Sequence, residues 1–465
     1  MLRHALALAA LALPLPALAQ ALTSAEQAAI DAAVTTTLKD TGVPSAQVAV
    51  VRGGQIVLDK AWGKASERIP VATEKLPYQI ASNSKQFLAA LLLLLEDDGK
   101  LSLDDPVAKW LPEVSGAERM RVRQLLSHTA GLQDFWPQDY LFSDMTRPTQ
   151  PQGIVDRWAK KPLDCAPGTR MQYSNTGYVV AGLIAEKAGG KPLWQQFDER
   201  LFTPLGIKPH KLDETNGPAF PEGYHRAALG PVRAATPPAR GWLWAAGELS
   251  MTAAELAKWD IARMNRTLLP RDDWEEMETP VRLADGTASG YGLGVSKHQV
   301  KGRTVVDHGG ESVGFLSQSS TWIDDKVAVV VLTNADFAGV PDTLTDKIAD
   351  LILPKAVQAD IGEAARDEDA RATLAELTAG RLDPARYTAN ARFYFTAQTL
   401  GDYAQSLSPL GTPQEVNALG KPRLRGGFVN RNFALSYKDG PKLVLITYAE
   451  PGEKGRWEQF IVMPR

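Results

Sequence analysis

Strand-forming segments lie at both ends of residues 25–353, and helical patterns fill the sequence between them. Near the start, segments 47–51 and 55–58 flank Gly53-Gly54, which predicts a β-hairpin. Strand patterns return near the end of the region, in segments 291–295, 304–307, 315–323 and 327–332. We therefore expect an α/β (α+β) fold, in which both ends of the region form one central antiparallel sheet flanked by helices.

Helical patterns supply the layers around this sheet. Residues 24–40 carry apolar side chains four apart and predict an amphipathic helix capped by Ser24. The apolar run 87–95 is too short to span a membrane and predicts a buried helix. Between about residues 100 and 285, helical patterns alternate with loops rich in Pro and Gly, which predicts an all-helical subdomain. A last helix is expected at 342–353.

The composition changes after Pro354, where residues 359–379 become rich in Ala, Asp, Glu and Arg and predict a solvated helix or a linker. Strand patterns follow in segments 423–429, 432–437, 442–448 and 457–462. We therefore expect a first domain over residues 20–355 and a separate C-terminal α+β module over residues 356–465.

The N-terminus has the features of an export signal. Arg3 and His4 precede an apolar run of about 14 residues, whereas a bilayer span needs about 20. Ala17-Leu18-Ala19 resembles a cleavage site. We expect a signal peptide over residues 1–19, no integral membrane span, and a periplasmic or secreted protein. Cys165 is the single cysteine, which excludes an intrachain disulfide, and its surroundings predict a structural thiol rather than a nucleophile.

The net charge and the spacing of the histidines argue against nucleic-acid binding and against a metal site. The formal net charge is -3, which gives no indication of a nucleic-acid partner. The six histidines are scattered and form no metal-ligand spacing, so we expect no metal and no other cofactor. The expected partner is a small-molecule or peptide substrate, and the sequence leaves the oligomeric state open.

Ser82-Asn83-Ser84-Lys85 is the one S-x-x-K sequence in the chain, and it precedes the apolar run 87–95. At this spacing on a helix, a serine hydroxyl and a lysine ammonium share one face. A partly desolvated lysine has a lowered pKa and can act as the base that activates the serine. The alternative is that Ser82 or Ser84 simply caps the helix.

Tyr173-Ser174-Asn175 is the second candidate motif, and it lies in a loop before an expected helix. A phenol beside the serine can shuttle the proton to a leaving group, and the asparagine can hold a substrate carbonyl. The alternative is a helix-entry loop with Asn175 as its cap.

His308-Gly309-Gly310 is the third candidate, at the predicted end of strand 304–307. Two glycines allow a substrate backbone to lie against the strand edge, and a backbone N–H just beyond could complete an oxyanion hole. His308 would supply a donor and a possible charge. The alternative is an ordinary turn at a strand end.

The order and spacing of the three motifs resemble those of the penicillin-recognising serine enzymes. That family includes class C β-lactamases, D-alanyl-D-alanine carboxypeptidases, D-aminopeptidases and family VIII esterases. Other similar segments lie at 101–106, 124–132, 167–170 and 291–294, so the resemblance covers roughly residues 25–353.

The resemblance implies an acyl-enzyme mechanism. Ser82 would attack a carbonyl while Lys85 and Tyr173 manage its proton. Asn175, with the 308–310 strand, would bind the substrate, and the backbone N–H groups of Ser82 and Glu311 would hold the oxyanion.

The third motif departs from the class C pattern, which is K-T-G. Losing the lysine and the threonine hydroxyl weakens the expected grip on a β-lactam or on a C-terminal carboxylate. We therefore expect a peptidase or esterase acting on D-amino-acid amides or short-chain esters. A true β-lactamase and a catalytically silent penicillin-binding or regulatory protein are the alternatives.

Two further features follow from the resemblance. The C-terminal module is similar to small domains appended to some family members, with an NTF2-like cone as the implied fold. Five aromatic side chains near the motifs are candidates for lining the acyl pocket, with core packing as the alternative: Phe135, Trp136, Trp242, Trp244 and Phe315.

Overall fold

The computed structural model describes residues 21–138, 140–353, 363–420, 422–425, 428–438, 440–452 and 454–464. The chain divides into two compact units, Met1–Leu353 and Pro354–Arg465. The predicted signal peptide at residues 1–19 lies outside the described residues, as do residues 356–362 at the start of the predicted C-terminal module.

A six-stranded antiparallel sheet forms the centre of the first unit. The strands of this unit are β1 (Ser45–Arg52), β2 (Gln55–Gly63), β3 (Tyr78–Gln79), β4 (His210–Lys211), β5 (Tyr224–His225), β6 (Arg233–Ala234), β7 (Leu249–Met251), β8 (Ser296–Val300), β9 (Arg303–Ser312), β10 (Phe315–Trp322) and β11 (Val327–Thr333). The central sheet has the order β2-β1-β11-β10-β9-β8. β1 pairs directly with β11, with Ala46 opposite Thr333, which confirms the sheet predicted from both ends of the region.

Helices cover both faces of this sheet. The helices of the first unit are α1 (Ser24–Thr41), α2 (Lys85–Asp97), α3 (Val122–Leu126), α4 (Pro151–Ile154), α5 (Asn175–Gly189), α6 (Leu193–Phe197), α7 (Thr203–Leu205), α8 (Trp244–Gly247), α9 (Ala253–Asn265), α10 (Arg271–Glu278) and α11 (Val340–Ile352). Val329 and Val331 of β11 share a core with α1 and α11. Val330 and Leu332 point the other way, into the core that contains α2 and α9. β11 is thus buried on both faces, as its unbroken apolar sequence predicts.

The segment that connects the halves of the sheet is mainly helical. α2 lies at its centre, with buried side chains along nearly its whole length, and packs against α5 and α8. Short strands of two or three residues, β4 to β7, also lie in this segment, so it is not wholly helical as predicted.

Two further local predictions were wrong. The cap of α1 is Thr23 rather than Ser24, because the Thr23 hydroxyl accepts from the Glu26 N–H while the Glu26 carboxylate accepts from the Thr23 N–H. Residues 291–295 form a bend instead of a strand, and β8 begins only at Ser296. The bend arises because Gly294 adopts a φ of +76°, in the left-handed region that favours glycine.

The second unit is an α+β module. Its helices are α12 (Glu363–Thr378), α13 (Ala389–Tyr394) and α14 (Ala397–Leu407), and its strands are β12 (Glu415–Ala418), β13 (Arg423–Arg425), β14 (Phe428–Ser436), β15 (Leu443–Ala449) and β16 (Trp457–Pro464). The sheet has the order β12-β14-β15-β16, with β13 paired to β14. The predicted helix is therefore present as α12 and the linker alternative was wrong, but the helix is packed rather than fully solvated, since Ala370, Leu374 and Leu377 lie in the core of this unit.

Within the described residues, no helix is both long and apolar enough to cross a membrane. The same part of the chain contains no group of three or more His, Cys, Asp and Glu side chains arranged to hold a metal ion.

Candidate active site

Ser82 lies in a short 3₁₀ turn, Ala81–Ser84, that leads into α2 at Lys85. The sequence predicted this serine on the helix itself, whereas it stands just before the α-helical part. Ala81 has a φ of +47°, a conformation that non-glycine residues rarely adopt. The turn leaves Ser82 partly exposed while Lys85, one turn later, is completely buried.

Lys85 makes three hydrogen bonds behind Ser82. Its Nζ lies 2.9 Å from Oγ of Ser82 and 2.9 Å from Oδ1 of Asn175. The third contact reaches the carbonyl of Ala246 at 2.7 Å. Burial lowers the pKa of Lys85 to about 7, against the opposing effect of the negative charge on Asp134. Near neutral pH, much of Lys85 is therefore an uncharged amine.

The start of α5 brings the second motif to the same place. Ser174 caps the helix by accepting a hydrogen bond from the N–H of Gly177, and Asn175 is its first residue. The ring of Tyr173 lies over Lys85, with Nζ 5.0 Å from the ring centroid. The alternative interpretation, in which Asn175 caps the helix, is wrong, because Ser174 is the cap and Asn175 directs its amide toward Lys85.

His128 supports the loop that carries Tyr173. Its ring stacks on Tyr173 with centroids 4.0 Å apart, and its Nδ1 accepts a hydrogen bond from the Ser174 N–H at 3.1 Å. The His128 carbonyl accepts from the Gln172 N–H at 2.7 Å, so one residue fixes both sides of the tyrosine. Burial and the nearby charge of Lys85 hold the pKa of His128 well below its ordinary value, so the imidazole is neutral.

Asp134 approaches Asn175 from the other side. Its Oδ1 accepts from the N–H of Asn175 at 3.0 Å and from the N–H of Trp136 at 3.2 Å. Its Oδ2 accepts from Nδ2 of Asn175 at 3.2 Å. Burial raises the pKa of Asp134, although these hydrogen bonds and the charge of Lys85 favour the carboxylate.

The third motif lies inside β9 and not at a strand end as predicted. Gly309 pairs with Gln318 of β10, and Gly310 pairs with Ser317. Both nitrogens of His308 are engaged, since Nε2 lies 2.7 Å from the Tyr291 hydroxyl and Nδ1 contacts the Gly309 carbonyl. Burial and the charge of Lys85 lower the pKa of His308 to about 4, so this side chain carries no charge at neutral pH.

Gly310 allows β9 to approach the turn that carries Ser82. A Cβ at this position would lie 2.1 Å from the Ile80 carbonyl oxygen and 2.3 Å from Oγ of Ser317. The Ser317 hydroxyl donates to the same Ile80 carbonyl at 2.8 Å and accepts from Nδ2 of Asn83 at 2.9 Å. The turn that carries Ser82 and the strand are therefore joined with no space for a side chain at residue 310.

These elements enclose a cavity of about 1050 Å³. The predicted site residues that line it are Ser82, Tyr173, Asn175, His308, Gly309, Gly310 and Glu311. Lys85 lies beneath this lining, in contact with Ser82 and Asn175. The structure thus brings all eight of the predicted residues to one site.

Of the five aromatic candidates, Trp136 alone lines this cavity. Phe135 and Trp242 instead pack with Trp158 in the core, and Phe315 lines a separate cavity of about 390 Å³. Trp244 is partly buried against the main core, close to Gly182.

Asp134, His128 and Tyr291 were not among the predicted site residues. His128 and Tyr291 do lie in two segments noted for their resemblance, 124–132 and 291–294, which was the available signal. Asp134 follows the first of these segments by two residues, and nothing in its local pattern indicates a contact with Asn175, 41 positions later.

The chain is similar to several known proteins. The family model described as Beta-lactamase matches residues 30–353. A penicillin-binding protein of Bacillus subtilis is 28% identical over 327 residues, which cover 62% of this chain and 68% of that protein. A D-aminopeptidase of Cereibacter sphaeroides is 31% identical over 303 residues, which cover 63% of this chain but only 57% of the relative. The crystal structure of a D-amino acid amidase from Ochrobactrum anthropi SV3, complexed with L-phenylalanine amide, is 26% identical with a TM-score of 0.62, over 71% of this chain and 99% of that chain.

Proposed function

Since the chain belongs to the β-lactamase family, we propose that it is a serine hydrolase that forms an acyl-enzyme on Ser82 and cleaves a short-chain ester or a D-amino-acid amide. The observation that carries the proposal is the environment of Lys85. A neutral amine has two hydrogens to donate and one lone pair. If the hydrogens go to Oδ1 of Asn175 and the carbonyl of Ala246, the lone pair is left for the hydroxyl of Ser82.

In the proposed reaction, each proton that one group releases is taken up by another named group. Oγ of Ser82 bonds to the substrate carbonyl carbon while its proton passes to Nζ of Lys85. The backbone N–H groups of Ser82 and Glu311 hold the oxyanion, and collapse of the intermediate breaks the bond to the leaving group. The leaving alcohol or amine takes the proton, relayed by Tyr173. Water then attacks the acyl-enzyme, gives one proton back to Oγ, and releases the acid.

The substrate preference rests on the third motif. A neutral His308 offers a substrate carboxylate no charge, whereas the K-T-G lysine of class C β-lactamases would. The D-aminopeptidase and the D-amino acid amidase, by their names, act on D-amino-acid amide bonds, which supports the amide alternative. Efficient β-lactamase activity is the second candidate, favoured by the family model that matches the chain.

A covalent label tests the nucleophile. A p-nitrophenyl phosphonate ester or a fluorescent penicillin should add its mass to the peptide that contains Ser82. Ser82→Ala should lose the label and lower p-nitrophenyl acetate turnover by about 10³-fold or more. Ser84→Ala is the matched control, because the Ser84 hydroxyl accepts a hydrogen bond from the Leu249 N–H. Wild-type protein that no reagent labels would contradict the proposal and favour a silent binding protein.

A comparison of rates tests the substrate class. We expect turnover of a short-chain p-nitrophenyl ester or D-alanine p-nitroanilide to exceed that of a chromogenic cephalosporin. The reverse ranking would identify a β-lactamase and contradict the argument from His308.

We also propose that the protein is exported, with cleavage after Ala19, because residues 1–19 have the features of a signal peptide. N-terminal sequencing of protein from the periplasmic fraction should begin near Gln20. A mature protein that retains Met1 would contradict this.

A further inference from the structure

Asp134 determines which atom of the Asn175 side chain faces Lys85. An amide has one oxygen that accepts and one nitrogen that donates. Because Nδ2 of Asn175 donates to Oδ2 of Asp134, Oδ1 is the atom left to accept from Lys85. Oδ1 of Asp134 holds the same residue through its backbone N–H, so the carboxylate fixes both the position and the orientation of Asn175.

Asp134 is also the negative charge that acts on Lys85. The other groups that face the lysine are the neutral imidazoles of His128 and His308 and the rings of Tyr173 and Tyr178. The two imidazoles offer no charge at neutral pH, and the two rings contribute only the weaker attraction of a π face for a cation. The negative charge of Asp134 favours the ammonium, whereas burial favours the free amine.

We propose that Asp134 is a positioning residue for acylation, which acts through Asn175 to aim the lone pair of Lys85 at Ser82 and balances the positive charge that Lys85 gains. The role rests on the proposed function, because it assumes that Lys85 accepts the Ser82 proton. Without Asp134, the Asn175 amide can turn and present Nδ2 to the lysine, which then loses one of the two acceptors that hold its hydrogens.

The test compares pH profiles of kcat/KM on a neutral p-nitrophenyl ester. The wild-type acidic limb should lie near pH 7, where Lys85 loses its proton. Asp134→Asn removes the charge but keeps an oxygen for the two backbone N–H groups. It should move the limb to lower pH by about one unit and lower kcat by about tenfold. Asp134→Glu keeps the charge and should leave the limb near its wild-type position, whatever its effect on kcat.

Asp164→Asn is the matched control for charge, because the Asp164 carboxylate accepts from the side chain of Gln172 rather than from Asn175. It should leave the limb unmoved. A purely structural role for Asp134 would lower kcat with the limb unchanged in Asp134→Asn, and that result overturns the proposal. A limb that moves in Asp134→Glu also overturns it, even if Asp134→Asn fails to fold. Failure of the proposed function is distinct, since wild-type protein would then show neither turnover nor a Ser82 label.

Discussion

Gly310 offers the sharpest test of how β9 and the turn that carries Ser82 depend on each other. In Gly310→Ala, the new Cβ would lie 2.1 Å from the Ile80 carbonyl oxygen, about 1.3 Å short of ordinary contact at 3.4 Å. The obstacle is backbone, so β9 or the 81–84 turn must move by about 1 Å. Such a shift displaces the proposed oxyanion N–H groups and should lower kcat/KM by about 10²-fold. The overpacking itself should cost about 1–3 kcal/mol of stability.

Gly309→Ala is the control, one residue away on the same strand. The nearest atom to its Cβ would be Oε1 of Gln318, at 3.1 Å, which ends a flexible side chain, and the Ser317 carbonyl oxygen would lie at an ordinary contact distance of 3.8 Å. We expect kcat on p-nitrophenyl acetate within about threefold of wild type and an unchanged melting temperature, whereas KM can rise because Gly309 lines the cavity. If Gly310→Ala kept wild-type kcat/KM, or if both variants lost kcat equally, the close approach of β9 to Ile80 could not be what positions Ser82.

Two further variants test the buried groups. Wild-type protein should gain stability relative to Lys85→Met as the pH rises from 7 to 10. The folded Lys85 loses its proton near pH 7, while the unfolded lysine keeps it to about 10.5, so the unfolded state binds more protons in this window. If the melting temperatures of wild type and Lys85→Met changed by the same amount across that pH range, the lowered pKa of Lys85 would be contradicted. His128→Ala removes the acceptor of the Ser174 N–H and should cost about 1–3 kcal/mol in urea unfolding. An unchanged midpoint would show that this N–H finds another partner.

The sequence predicted the parts of this molecule that depend on local pattern. Alternating and continuous apolar segments identified β1, β2, β10 and β11. This worked because a strand buried on one face alternates apolar and polar side chains, whereas a strand buried on both faces is apolar throughout. Strand 291–295 failed because apolar Tyr291, Leu293 and Val295 alternate with Gly292 and Gly294, and the pattern does not reveal the positive φ of Gly294. The same ambiguity placed Gly309 and Gly310 at the end of a strand, although they are paired inside β9.

The candidate site was predictable as a set of residues but not as a set of contacts. Ser82 and Lys85 are close in sequence, and their hydrogen bond follows from three-residue spacing. The contact between Lys85 and Ala246 spans 161 positions, and only the packing of α8 against the 81–84 turn creates it. Complete burial of Lys85, and hence its lowered pKa, is a property of the assembled fold.

The site contains basic side chains, but their burial and their mutual repulsion keep its positive charge low. The charge of Lys85 lowers the pKa of both His128 and His308, in addition to the larger effect of their burial. Both imidazoles are therefore neutral, and beside Ser82 a substrate carboxylate would face Lys85, whose own charge is partly lost near pH 7. A neutral ester or amide needs no such charge, yet it does need a lysine that can accept a proton. The same arrangement thus favours a lysine base and disfavours an anionic substrate.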